Sequence, residues 1–248
     1  MIAKAPHLSV RLWQDRVRGA LLALSLWLAG ETPAVAETIT SARFTEPTTR
    51  YAHGVLGDNI EYSALELTVQ SDTLTIRLPS DRVFEDLAPR LIDIDLDGKL
   101  EVIVVESHNR TGAQLSIYDR GGKKIAATPH IGTRFRWLAP IGAADLDGDG
   151  YVEIAYIDRP HLAKTLRIWR YRDGDLTEVA TLPGLTNHRI GEDFITGGVR
   201  DCGTGPELIV VSADWQQIAS VSYEDGWTTR MLSSFTHKAV KQTLDCLR

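Results

Sequence analysis

One nine-residue frame occurs twice and constrains this chain more than any other feature. Asp93-Ile94-Asp95-Leu96-Asp97-Gly98-Lys99-Leu100-Glu101 is repeated, 52 residues further on, as Asp145-Leu146-Asp147-Gly148-Asp149-Gly150-Tyr151-Val152-Glu153. Acids at positions one, three and five, a glycine at six that lets the backbone fold back, and a fourth acid at nine make an oxygen cage suited to a hard cation. Calcium is the natural occupant. Each frame runs into an apolar, β-branched stretch, Val102–Val105 in one case and Val152–Ile157 in the other, so a strand follows each loop. The loop is therefore one part of a repeated β unit.

The rest of the chain from Ser41 onward repeats that pattern: short β-like runs separated by turn residues, with no long amphipathic helical period. Arg120-Gly121-Gly122-Lys123, Asp173-Gly174-Asp175 and Glu224-Asp225-Gly226 supply tight hairpin turns at corresponding places late in three units. A damaged copy follows the second frame. Aligning Glu207-Leu208-Ile209-Val210-Val211 on the strand after the loop leaves Val199, Asp201 and Gly203 at the metal positions, so no cation is expected there. A period near 50 residues with about four strands per unit predicts an all-β fold, a small β-propeller of four to five blades. The blades are expected at 49–86, 87–136, 137–189 and 192–234, with the ends 37–48 and 235–248 completing a closing blade together.

Residues 1–36 read as a secretory signal peptide. A basic region with Lys4, Arg11, Arg16 and Arg18 precedes the apolar run Gly19–Gly30, and Ala34-Val35-Ala36 is a small-x-small cleavage site. The apolar run is too short for a hydrocarbon core that needs about 20 residues, so no membrane span is expected after cleavage. The mature domain is then 37–248, exported to the periplasm or secreted. Removing the signal takes the formal net charge from −6 to −8, which argues against nucleic acid and anionic membrane as partners. The two cysteines, Cys202 and Cys246, read most simply as one disulfide in an oxidising compartment; free buried thiols or a metal or redox site are the alternatives.

The Asp-x-Asp-x-Asp-Gly-x-x-Glu loops followed by an apolar strand resemble the FG-GAP or VCBS repeats, the blades of integrin α-type propellers and of many exported bacterial proteins. The resemblance is strongest over 91–158. It implies Ca²⁺ held by side chains at positions one, three, five and nine and by a backbone carbonyl at seven. Carried onto this chain, the ligands are Asp93, Asp95, Asp97, the carbonyl of Lys99 and Glu101 for one ion. For the second ion they are Asp145, Asp147, Asp149, the carbonyl of Tyr151 and Glu153. The chain departs from the family pattern in using Glu at position nine, where Asp is usual. An EF-hand is excluded, because its position twelve demands a bidentate Glu and this chain has Val104 and Tyr156.

Chemistry beyond calcium is sparse. His53, His108, His130, His161 and His188 show no HxxH or HExxH spacing and read as loop or surface residues. Neighbouring strand residues such as Glu192 and Asp193 point to opposite faces and do not make a glycosidase pair. Phe135, Trp137, Trp169, Trp215 and Trp227 either pack between blades or line a ligand surface. The expected function is an exported calcium-binding propeller acting as a binding or interaction module for a protein or carbohydrate, with calcium mainly structural and no catalytic residue identified. The alternative is a polysaccharide-active or other hydrolase or lyase using the central face.

Overall fold

The computed structural model describes Met1 and residues 37–247. The expected signal peptide, 1–36, lies, Met1 apart, outside the described residues. The strands form three antiparallel sheets. The first holds β1 (Ile39–Thr48), β2 (Glu61–Val69), β3 (Asp72–Arg77), β4 (Arg82–Phe84), β5 (Arg90–Ile92), β6 (Glu101–His108), β7 (Gly112–Tyr118) and β8 (Lys124–Ala127). Its main path runs β1-β2-β4-β6-β7-β8, with β3 on β2 and β5 on β6. The second holds β9 (Leu138–Ala144), β10 (Glu153–Asp158), β11 (Thr165–Arg172) and β12 (Asp175–Pro183) in sequential order. The third holds β13 (Leu185–Thr186), β14 (Gly198–Asp201), β15 (Pro206–Ser212), β16 (Gln217–Tyr223) and β17 (Trp227–Ser234).

The 52-residue period becomes three equivalent meanders, β5 to β8, β9 to β12 and β14 to β17. In the first two, the acidic loop is the hairpin between the first and second strands, and its position-nine Glu opens the second strand: Ile92 pairs with Glu101 and Ala144 with Glu153. The second strands are apolar on both faces because both faces are covered; β6 and β10 are buried along their whole length. One apolar cluster joins Ile103, Leu115 and Ile117 of the first sheet to Leu138, Ile154 and Trp169 of the second. Another joins Ile157, Leu166 and Ile168 to Leu208, Val210 and Val221 of the third. Each such buried side chain contributes about 1.5–3 kcal/mol, so the loops are mounted on strands anchored in the core.

Three expectations are corrected. The units at 49–86 and 87–136 are not separate sheets, because the short strand β4 bridges them through Tyr62↔Phe84 and Phe84↔Glu106. The ends do not build one closing blade: β1 pairs with β2 and stacks Phe44 on Tyr62 and Phe84, while the C-terminal segment is a helix, α1 (His237–Leu244). Thr236 caps that helix by accepting from the Ala239 N–H, and Val240 packs on Ile209 and Ile218. Phe194-Ile195-Thr196, one of the short β-like runs from which a strand is expected, is a loop whose Thr196 N–H donates to the Asn187 carbonyl at 2.7 Å. Among the described residues no helix is long and apolar enough to cross a membrane.

Candidate metal centre

The two acidic loops share a plan and differ in which N–H groups their first acid holds. Asp93 accepts from the N–H groups of Asp97 and Gly98 at 3.0 and 2.9 Å; Asp145 accepts from Gly148 and Gly150 at 2.8 and 3.1 Å. The position-nine carboxylates turn back into the loops, Glu101 accepting from Ile94 N–H at 3.1 Å and Glu153 from Leu146 N–H at 2.8 Å. Ile94 and Leu146, 1% and 4% exposed, anchor the loops in the core. The turns require left-handed backbone at position six, supplied by Gly98 and Gly150 at φ 85° and 87°. At position four the second loop has Gly148, whereas Leu96 holds φ 60° in the first.

Each loop gathers three acids: carboxylate oxygens of Asp93, Asp95 and Glu101, and of Asp145, Asp147 and Glu153, lie within 4.8 Å of one another. Asp97 and Asp149 stay outside those groups. Asp97 is held by the Lys99 ammonium at 2.5 Å, which keeps its carboxyl below the usual range. Asp149 pairs with Arg170 at 3.1 Å. Burial pushes Glu101 up to about 7, opposed by the Ile94 N–H and reinforced by Asp95, Asp97 and Asp93. Burial also raises Glu153 and Asp147, against the pull of Arg170. An all-oxygen donor set carrying crowded negative charge on a half-buried hairpin fits a divalent cation such as calcium, which favours the ionised carboxylates.

The cysteines form the expected bridge, Cys202–Cys246 with Cα atoms 5.7 Å apart, tying the turn after β14 to the residues just past α1. The aromatic set divides. Trp137 and Trp169, 2% and 8% exposed, pack in the core, while Arg189 covers Trp215 at 4.2 Å and Tyr223 meets Trp227 edge-on at 5.3 Å.

A second polar cluster escaped the sequence reading. His53 Nδ1 lies 2.5 Å from the fully buried Glu85 carboxylate, Ser107 donates to the other Glu85 oxygen, and Trp137 Nε1 donates to the Glu85 carbonyl at 2.8 Å. His161 Nε2 meets His188 Nδ1 at 3.0 Å, and His188 Nε2 reaches the Glu192 carbonyl at 2.9 Å. The carbonyl can only accept, so neutral His188 is protonated at Nε2, and His161 donates through its own Nε2. Burial and His188 together pull His161 down to about 4. Burial, then Glu85, Asp58 and Asp86, push Glu61 up to about 9. His108 and His188 are interior residues, 6% and 1% exposed; His188 lies in a loop, whereas His108 ends β6 and is neither the loop nor the surface residue expected. The one signal in the sequence was Glu85-Asp86, two acids directly after the apolar pair Val83-Phe84.

A comparison with known families finds a match over the stretch that holds both acidic loops. Residues 93–156, from the first loop through most of β10, are an FG-GAP-like repeat. No curated protein matches the chain.

Proposed function

We propose that residues 37–248 are an exported, calcium-stabilised β-propeller that serves as a binding or interaction module in the periplasm or outside the cell. The observation that carries this reading is the pair of corresponding loops, each converging three carboxylates and turning its position-nine Glu back onto a loop N–H. Calcium at Asp93, Asp95, Asp97, the Lys99 carbonyl and Glu101, and at the equivalent positions from Asp145 to Glu153, offsets clustered charge and fixes the corner between two strands. Three equivalent meanders packed face to face in chain order support the propeller. So does the Gly191 N–H, which donates to the Val55 carbonyl at 3.1 Å and brings the start of the last unit back to the first.

A groove of about 520 Å³ lined by Asp145, Asp147, Glu207, Tyr223 and Arg230 is the surface offered to a ligand, and its acids, aromatic ring and guanidinium suit a carbohydrate or a polar protein segment. The space beside His53 and His161 is about 30 Å³, room for a water but not a sugar ring, which supports a binding module over a hydrolase at that cluster. Thermal melts with excess calcium and with EGTA test the proposal. At a calcium concentration a hundred times Kd, occupancy of one site adds about 2.7 kcal/mol, a rise of roughly 5–10 °C for a domain of this size. Identical melts in calcium and EGTA would sink it.

A further inference from the structure

We propose that the two loops are unequal as calcium sites, because Arg170 already occupies the cation's place in the second; the inference rests on the calcium reading above. Arg170 lies on β11 directly across from Glu153. Its guanidinium reaches three of the four acids: Asp147 through Nη2, Asp149 through Nη1 at 3.1 Å, and Glu153 through Nε at 2.7 Å. The Glu153 side chain is fully enclosed and the Arg170 side chain 25% exposed, so salt screens this attraction less than it does an exposed pair. A planar fork with several fixed donors matches a cluster of carboxylates as a lysine cannot.

Among the described residues the first loop has no such internal cation paired with its acids. Its strand pair ends at Val102↔Tyr118, and the next residue, Asp119, begins the hairpin turn, accepting from the Gly121 and Lys123 N–H groups. Lys99 is about a third exposed and pairs with Asp97 alone. Glu101 keeps a backbone N–H as its hydrogen-bond partner and stands among three acids.

The third copy extends the series. There, with Val199, Asp201 and Gly203 at the metal positions, Glu207 at position nine is held by Arg200 at 2.6 Å. The arginine comes from the first strand of that meander, β14, and its Nη1 also donates to the Thr243 carbonyl at 2.6 Å. In the three copies the position-nine carboxylate thus passes from no arginine, to an arginine with the acids kept, to an arginine with positions one and five no longer acidic. A calcium ion entering the 145–153 loop must break three ion pairs, whereas one entering the 93–101 loop breaks at most the exposed Lys99 pair. The chain therefore holds one calcium tightly, at the first loop, and a second weakly.

Calorimetric titration of CaCl₂ into the calcium-stripped chain tests this. The wild type is expected to show two sites separated by roughly tenfold or more in affinity, the scale of coupling between close charge pairs. Asp95→Asn should remove the tight site. Arg170→Met, in the Asp95→Asn background, should tighten the remaining site by at least about tenfold, with Arg170→Lys intermediate because it keeps the charge and loses the fork. Arg170→Met leaves Glu153 enclosed without a cation, so its melting temperature should fall in EGTA and recover more than the wild type's on adding calcium. Two equally tight sites in the wild type, or an Arg170→Met site no tighter than before, overturn the inference and leave the calcium reading standing. No calcium binding in any of these proteins overturns both.

Discussion

Gly197→Ala isolates the tightest backbone contact next to the arginine-held copy of the loop. Gly197 precedes β14, holds φ 110°, and a Cβ placed there would lie 2.1 Å from the Ile209 carbonyl oxygen and 3.2 Å from its carbon. The obstacle is backbone in a buried central strand, not the end of a mobile side chain, so the new methyl must push β14 away from β15. The first register pair of that ladder, Gly198↔Ile209, is the one displaced. Positive-φ strain costs about 1–3 kcal/mol. Losing one or two ladder hydrogen bonds adds about 0.5–1.5 kcal/mol each, for a total of roughly 1.5–6 kcal/mol. Gly203→Ala is the control, since Gly203 holds φ 92° with nothing within 4 Å of the added Cβ and meets strain alone, about 1–2 kcal/mol. Urea unfolding of both variants at constant m gives the two losses; in thermal melts they correspond to falls of roughly 3–24 °C and 2–8 °C. Equal losses in the two variants would refute the steric argument.

The disulfide closes a separation of 44 residues, for which the chain-entropy relation gives about 4 kcal/mol as the most it contributes. Urea unfolding of the Cys202→Ser/Cys246→Ser double variant should show a loss of about 2–4 kcal/mol, and an unchanged stability would contradict the bridge as a constraint on the unfolded chain. Stability should also depend on pH from two opposed sources. His161 is depressed from 6.5 to about 4, so the unfolded chain takes up more protons in that range and the fold loses stability as pH falls through it. Glu61 is raised from 4.5 to about 9, so the folded chain holds the extra proton and stability falls as pH rises from 4.5 towards 9. Glu101, raised to about 7, adds a like fall up to that pH, so Glu61 is isolated above about pH 7.5, where melts in EGTA up to pH 9 should decline in the wild type and flatten in Glu61→Gln. The same slope in both proteins would remove Glu61 as the cause.

What was legible in the sequence was what depends on neighbours along the chain. The period placed the loops between the first and second strands of the first two meanders, and β-branched runs marked the strands that follow, β6, β10 and β15. The hairpin turns after Tyr118, Arg172 and Tyr223 lie where their Gly and Asp residues indicated. Features that depend on cross-strand register were not readable. Arg170 meets Glu153 from 17 residues away, and His53 meets Glu85 from 32, with no local pattern announcing either pair. Helix α1 is only eight residues with one fully buried position, Val240, too short for a helical period to stand out. β1 is largely exposed and polar, so its pairing with β2 is set by Phe44 and its stacking partners more than by alternation. The loops themselves were legible as cages, but the separation of Asp97 and Asp149 from the acid groups follows from Lys99 and Arg170, which only the folded register brings to them.

The central claim is that calcium sits in the first acidic loop and staples a corner of the β fold. A crystal of the protein grown in saturating calcium, with anomalous diffraction data, tests it most directly. The account predicts an anomalous peak about 2.3–2.6 Å from carboxylate oxygens of Asp93, Asp95 and Glu101. An ordered loop with no peak among those three side chains would contradict it.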